Sequence, residues 1–445
     1  MDNITHTLVG VLVGEAVARG PAACDPAPGA DQPGASRPAS GLAGGVRRSL
    51  IVTAFAVSSN LPDADLLYTS FASGPLVYLL QHRGYTHTVP GALVLALLLY
   101  LACEGWLKWR GLKPSTADRG WIAGSALLGV LLHLAMDYTN SYGVHPFWPF
   151  HDGWLYGDSV FIVEPLVWIA AAPLVFLART GIARRVIAVI LSLGTVAVVV
   201  SGFVPWPAAV VFVALLLASL AAGRWLRPRA ALVAGVLIWL GVTAVFVTAS
   251  HAAGRRVDAV ARAEFPQAVT LDHVLTPMPA DPLCWDLLLV QTEGGRYLVR
   301  TARLSLAPAW IAAGQCRGVG RLTPGGGNTG AGEAAVTEHG RLIAGDAGIQ
   351  WLQQFSMPVG RIAGLAAQHC LARAFMQFAR VPWAAAAGPG WTLGDLRFGN
   401  GPGFSQLRLG QAAETCTFAP VPWLPPRPEL LQQAGSRQAD DVRPQ

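Results

Sequence analysis

The chain has 445 residues, of which 53% are hydrophobic and 13% charged, with a net charge of +6. A soluble globular protein carries roughly twice that charged fraction, so the composition excludes an ordinary soluble enzyme. The excess of arginine lies in short loops between apolar runs, and no basic block interleaves with aromatics, which argues against a nucleic-acid groove. The expected fold is mainly α: a polytopic membrane helical bundle followed by a C-terminal soluble domain of α+β or β-rich type.

In chain order, residues 4–18 form a short apolar segment opened by Thr5 and His6. The start lacks the basic region of a cleavable signal peptide and is read as retained. Residues 20–45, rich in Pro, Gly, Ala and Ser, predict a flexible loop. Arg47 and Arg48 precede a second segment, about 49–59, which runs into Asn60-Leu-Pro-Asp-Ala-Asp with Pro62 as the helix boundary. His82-Arg-Gly-Tyr-Thr-His-Thr leads into a third segment, 89–106, and a basic loop then precedes a fourth, 121–137. The loop 138–158 is rich in aromatics and prolines, a composition that suits the headgroup level of a bilayer. Four more apolar runs follow, at about 160–178, 186–203, 207–223 and 230–250.

Placing the basic loops on the cytoplasmic side gives about eight crossings with both termini outward. Arg255 and Arg256, just after the last run, oppose that count. From about residue 257 the pattern changes. Residues 270–310 alternate as strands do, 361–379 read as an amphipathic helix, and Gly394 opens a further short strand and turn. The Gly-rich stretch 320–333 has no following Gly-Lys-Ser/Thr and is not a phosphate-cradling loop. Residues 425–445 predict a disordered tail. The division is thus a helical metal-binding core at 1–159, transmembrane helices at 160–250, an outward domain at 257–424, and the tail. Cys284, Cys316, Cys370 and Cys416 permit two disulfides in an oxidising compartment, with pairing left open, and the absence of any CxxC pair argues against a zinc knuckle.

The chemistry concentrates in four stretches. His133 and Asp137 are four apart in an apolar segment, so on a helix they share one face. A hydrogen-bonded His–Asp pair in the core would satisfy those two alone. His6, Asp63, Asp65, His82 and His87, however, also fall near the outward ends of their segments, which brings imidazoles and carboxylates from separate stretches to one level. These are the ligands of zinc, and they also suit manganese or iron. His82 and His87 on one regular helix would diverge by about 140°, so His82 is expected in a loop and His87 at a helix start, with Gly84 allowing the bend. Seven candidates exceed one tetrahedral site and point to a di- or trinuclear centre. Asp65 is read as a bridging ligand or general base, with a helix N-cap as its plainer alternative. Arg83 is placed to meet a phosphate. His145 and His151 are read as structural or headgroup-level. Asp158 is read as a cap on the fifth segment or a further site carboxylate. Glu164, inside that segment, is a functional candidate without an assigned role.

Met1-Asp-Asn-Ile-Thr-His-Thr-Leu-Val-Gly, Asn60-Leu-Pro-Asp-Ala-Asp, His82-Arg-Gly-Tyr-Thr-His-Thr, His133-Leu-Ala-Met-Asp and Trp154-Leu-Tyr-Gly-Asp together resemble the bacterial membrane-bound, metal-dependent hydrolase family over roughly residues 1–170. The same order of His and acidic residues is distantly similar to the zinc-dependent phospholipase C fold. Asp137 stands where that group commonly has Glu, and its N-terminal Trp ligand has no counterpart. The resemblance implies a protein of the bacterial inner (cell) membrane; the apolar runs make it multi-pass, and the alternation of basic loops puts the C-terminal domain outward, periplasmic or extracellular. It also implies a hydrolase with a divalent metal; the place of the candidate ligands at the outer membrane face makes a phosphoester or lipid-linked substrate the expected one. A metal or proton-coupled transporter would instead call for internal repeats and broken helices, and neither is read in the sequence. A non-catalytic membrane scaffold with structural metal is the third reading.

Overall fold

A computed structural model of the chain describes residues 1–20, 41–71, 75–317, 337–338, 348–401, 403–410 and 421–432. Most of the expected loop 20–45 and the Gly-rich stretch 320–333 lie outside these residues. The helical part begins with α1 (Asn3–Arg19), α2 (Gly44–Ser58) and a 3-10 turn at Leu61–Ala64, followed by α3 (Asp65–Phe71) and α4 (Pro75–Gln81). A second 3-10 turn, Tyr85–His87, leads into α5 (Val89–Trp109) and then α6 (Thr116–Tyr138). Next come the short α7 (Pro165–Ile169) and α8 (Leu174–Leu177), then the long α9 (Gly181–Val200), α10 (Trp206–Trp225) and α11 (Pro228–Glu264).

Local chemistry sets several helix starts. The Asp2 side chain accepts from the backbone N–H groups of Ile4 and Thr5, and Thr88 accepts from Gly91 N–H at 3.0 Å. Ser115 and Asp118 form a reciprocal capping box, so α6 starts five residues before the apolar run at Trp121. Close packing then fixes α1, α2 and α6 against one another. A Cβ on Gly10 would sit 2.2 Å from Ser59 Oγ, and one on Gly129 would sit 1.8 Å from Ser58 Oγ. Small residues let these backbones approach, as between membrane helices generally.

Among the described residues, five helices are long and apolar enough to cross a membrane (α5, α6, α9, α10 and α11). A sixth arises if α2 and the 61–69 stretch, bent by 57°, are one broken span. Eight crossings are therefore too many. Helix α1 has 17 residues and buries Thr5, His6, Leu8, Val9 and Leu12 in the protein. The run 160–178 breaks into α7 and α8, whose residues join the main core with Leu191, Phe212 and Leu232 from the neighbouring long helices. Apolar residues buried by protein and apolar residues facing lipid look alike in a sequence. Arg255 and Arg256 have a similar explanation, because α11 has 37 residues, about 55 Å at 1.5 Å per residue, and continues well past the apolar run. Arg256 Nη1 there donates to Ser305 O at 3.1 Å, and Glu264 accepts from Trp351 Nε1 at 2.7 Å.

The C-terminal region is a separate α+β unit. β1 (Val269–Met278), β2 (Asp281–Glu293), β3 (Arg296–Ser305), β4 (Thr337–Glu338) and β5 (Ile349–Pro358) form an antiparallel sheet in the order β1-β2-β3-β5-β4. Two short helices, α12 (Gly360–Gln368) and α13 (Cys370–Phe375), replace the single amphipathic helix expected at 361–379. A second sheet joins β6 (Pro382–Ala387), β7 (Gly390–Asp395) and β8 (Gln406–Leu409). Cys284 and Cys316 form a disulfide.

Buried polar contacts lock this unit onto the helical part. Arg380 forks onto Asp158 at 2.9 and 2.8 Å and also holds Asp272 at 2.8 Å. Arg397 donates to the carbonyls of Ser141 and Tyr142 at 2.8 and 3.0 Å. Trp423 donates to Leu80 O at 3.0 Å. Residues 425–432 are not part of a disordered tail, since Leu430 is fully buried and Arg427 donates to Arg380 O at 2.9 Å. The aromatic loop is likewise more than a headgroup belt. His145 lies between Trp154 and Trp423 at ring separations of 3.8 and 4.1 Å, and burial holds its pKa down to about 3. Its partners are protein rather than lipid.

Gly129→Leu should wedge α6 off α2 and cost about 1–3 kcal/mol. A lowered thermal midpoint of the detergent-solubilised protein would register it, while Gly124→Leu, where an added Cβ meets nothing within 4 Å, should leave the midpoint nearly unchanged.

Candidate metal centre

The helical packing brings six of the seven expected ligands into two overlapping groups. In the deeper group, donor atoms of Asp63, His87, His133 and Asp137 lie within 4.8 Å of one another, all four residues buried. In the shallower group, Asp63, Asp65 and His82 meet the same criterion. Asp63 belongs to both, so it is Asp63, rather than Asp65, that stands where a shared ligand would.

Each imidazole of the deeper group is oriented from behind. His133 Nδ1 lies 2.8 Å from Ser59 O, a carbonyl that can only accept, so Nδ1 carries the hydrogen and Nε2 presents a lone pair. The Thr86 hydroxyl donates to Asp65 Oδ2 at 3.0 Å and so accepts from His87 Nδ1, also at 3.0 Å. His87 Nε2 is therefore bare as well. These two nitrogens face each other at 3.1 Å. Asp63 Oδ1 lies 3.3 Å from His87 Nε2 and 3.6 Å from His133 Nε2. Asp137 Oδ2 lies 3.3 and 3.5 Å from the same atoms, with Arg83 Nε 2.9 Å away as its cationic neighbour. Four lone-pair donors thus converge without a hydrogen between them. Around a tetrahedral ion with bonds of about 2.0–2.1 Å, ligand atoms stand roughly 3.3 Å apart. The observed separations of 3.1–3.6 Å fit that figure. The group could hold a metal ion; its identity is not fixed by geometry.

His6 takes a different place from the one expected. Its Nε2 contacts Asp137 Oδ1 at 3.1 Å, and its ring stacks on His133 at 3.9 Å. It thus touches two of the residues that supply the convergent atoms, and its Nδ1 is buried without a hydrogen-bond partner. The Met1 amine also contacts Asp137 Oδ1, a neighbour that sequence reasoning did not find.

Arg83 is not free to meet a phosphate. Its Nε lies 2.9 Å from Asp137 Oδ2, Nη1 donates to Asn140 Oδ1 at 3.0 Å, and the guanidinium covers the Tyr142 ring at 4.8 Å. The chain bends at Arg83 itself, at φ 60°, a left-handed conformation, whereas Gly84 has φ −81°. The bend aims the Arg83 N–H at Asp65 Oδ2, 3.0 Å away, and Asp65 Oδ1 meets His82 Nδ1 at 3.0 Å. Asp65 therefore organises the 82–87 turn, and no N-cap bond is among its contacts.

As expected, His82 follows a helix in a loop, and His87 sits just before the Thr88 cap of α5. Asp158 pairs with Arg380, apart from these groups. Glu164 is the N-cap of α7, accepting from Leu166 and Ala280 N–H groups at 3.0 Å. Both serve structure, and the long-range partners that decide this, Arg380 and Ala280, are remote in the chain.

All the convergent donors lie in a region with known relatives. Residues 1–207 match the model of the YdjM inner membrane protein family. A further likeness is to the uncharacterised protein YfhP of Bacillus subtilis (strain 168), 28% identical over 174 residues, or 38% of this chain and 44% of that protein. The match spans less than half of that relative. No solved structure matches the chain. The YdjM description names a membrane protein and no reaction, and with the apolar helices it supports placement in a membrane.

Arg83→Met would leave Asp137 buried beside one cation fewer, a change that costs about 3–5 kcal/mol where a buried pair is broken. Added zinc should then raise the variant's thermal midpoint more than that of the wild type, because the ion restores positive charge beside the same carboxylate.

Proposed function

We propose that the protein is a membrane-embedded hydrolase dependent on divalent metal, with zinc as the first candidate and manganese or iron as alternatives. The observation that carries the reading is the convergence of the Nε2 atoms of His87 and His133 with carboxylate oxygens of Asp63 and Asp137, with no hydrogen available between the two imidazoles. Asp63, His87, His133 and Asp137 would hold one ion. Asp65 and His82 would complete a second position through shared Asp63. A divalent ion there supplies Lewis acidity and a water of lowered pKa.

The chain's own residues do the rest. Ser59 and Thr86 fix the imidazole tautomers, His6 and Arg83 hold Asp137, and Asp65 fixes the 82–87 turn. His82 is held by Asp65 at Nδ1, which leaves its Nε2 as the nitrogen for the second position. A phosphoester fits this chemistry, and a lipid-linked one fits the membrane setting. The Cys284–Cys316 disulfide supports an outward C-terminal region in an oxidising compartment.

A transporter remains a second reading because of one observation. The helix break expected of transporters, and not read in the sequence, occurs at the 57° bend after α2, beside Asp63. Metal uptake by proteoliposomes, absent from Asp63→Ala, would favour it.

Purified without chelator, the wild type should carry about two equivalents of metal per chain by mass spectrometry. Asp63→Ala should lose both, and His82→Ala one. Hydrolysis of a phosphodiester panel should require the metal and fall by roughly 10–100-fold or more in His87→Ala. Metal binding with no hydrolysis of any phosphoester would count against the enzyme.

A further inference from the structure

The two donor groups are not equally accessible, and the more open one adjoins lipid-facing surface. His6, His87, His133 and Asp137 are fully enclosed, whereas Asp63, Asp65 and His82 are each 8% exposed. What exposure the centre has is therefore at Asp63, Asp65 and His82, which sit at or just before the start of α3 and just after α4. The next turn of α3 carries Leu67, Tyr68 and Phe71, exposed at 68%, 58% and 88%. Residues 67 and 71 are four apart and 68 and 71 three apart, so these side chains form one face.

The rim continues through contacts that start at Asp65. Its carboxylate holds Arg83 and Thr86 of the 82–87 turn, whose Tyr85 is 44% exposed and meets Trp148 edge-on at 5.1 Å. Beside Trp148, Phe147 and Phe150 project outward, Phe150 at 94% exposure. The Pro146 carbonyl accepts from Val89 N–H at 2.8 Å, which ties this loop to the first residue of α5. Helix α5 in turn presents Leu93, Leu97, Leu98 and Leu101 outward, each more than half exposed, as a lipid-facing span does. Helix α2 and the 61–69 stretch, which carries Leu67 and Tyr68, together are apolar enough to be a membrane span.

We propose that these exposed aromatic and aliphatic side chains insert into the bilayer leaflet around the mouth of the metal centre. The centre thus opens sideways to lipid, and its substrate class is the glycerophospholipid of that leaflet rather than a soluble phosphoester. Soluble globular surfaces rarely display such a continuous apolar rim, and aromatic rings beside a span suit the interfacial depth at which lipid ester and phosphate groups lie. The substrate assignment rests on the hydrolase reading; the insertion of the rim does not.

The experiment is photolabelling of the full chain in nanodiscs that contain a phosphatidylcholine with a diazirine high in one acyl chain. Labelled peptides are mapped by mass spectrometry, and metal content is measured on the same samples. Label is expected at residues 67–71 and 147–150 as well as along α5. In Leu67→Ser/Tyr68→Ser/Phe71→Ser, label in 67–71 should fall severalfold with metal content and α5 labelling unchanged. Label on α5 alone in the wild type would overturn the proposal. Should the triple variant fail to fold, Phe147→Ser/Phe150→Ser gives the same comparison at the other side of the rim. Photolabelling needs no turnover, so a failed hydrolase reading would leave these outcomes readable. If hydrolysis is found, faster turnover of a short-chain soluble diester than of bilayer phospholipid would overturn the substrate assignment alone.

Discussion

Two bare imidazole nitrogens 3.1 Å apart, with carboxylate oxygens of Asp63 and Asp137 beside both, are the constraint on which the helical half depends. Buried acceptors repel unless a proton or a cation lies among them, and leaving them unpaired away from water is costly. Everything around this point acts to keep the four donors together. The Ser59 carbonyl and the Thr86 hydroxyl set the tautomers, and Arg83 and His6 brace Asp137. The close crossings of α1, α2 and α6 at Gly10 and Gly129 bring His6, Ser59 and His133 within reach of one another. The convergence of donors is in this sense a property of helix packing, and no single motif contains it.

The same packing explains why the C-terminal unit is not a loosely attached appendage. Its Trp423 covers His145 and donates to Leu80 O, one residue before Gln81 ends α4. Arg397 grips the loop just after Asp137 through Ser141 and Tyr142, and Tyr142 lies under the Arg83 guanidinium. A chain of buried contacts therefore runs from the second sheet to Asp137. Arg380 and Arg427 close the junction by neutralising Asp158 and Asp272, charges that would be expensive to leave unpaired.

Much of the site was legible in the order of residues. His133-x-x-x-Asp137 declares its shared face because helical periodicity is local, and the acidic pair after Pro62 and the histidines around Gly84 mark loops between apolar runs. What could not be read was rank within the set. His6 stands outside the two donor groups, with its ring stacked on His133, and Arg83 is committed because Asp137 and Asn140 reach it. The Gly10-x-x-x-Gly14 spacing in α1 was a readable sign of a close helix crossing, and Val52 and Phe55 do meet Gly14.

The sequence alone determined a polytopic helical protein, a change of character near residue 257, and the identity of the residues available as ligands. Those features depend on composition and on periodicity over a few neighbours. Tertiary structure decided which apolar runs form helices long enough to cross a membrane, since α1 buries much of one face and the 160–178 run breaks into two short helices. It also decided that Asp63 is shared between two donor groups, that Asp158 and Glu164 are structural, and that residues 425–432 are packed. Each of these turns on partners far along the chain, and no local pattern records which distant side chain arrives.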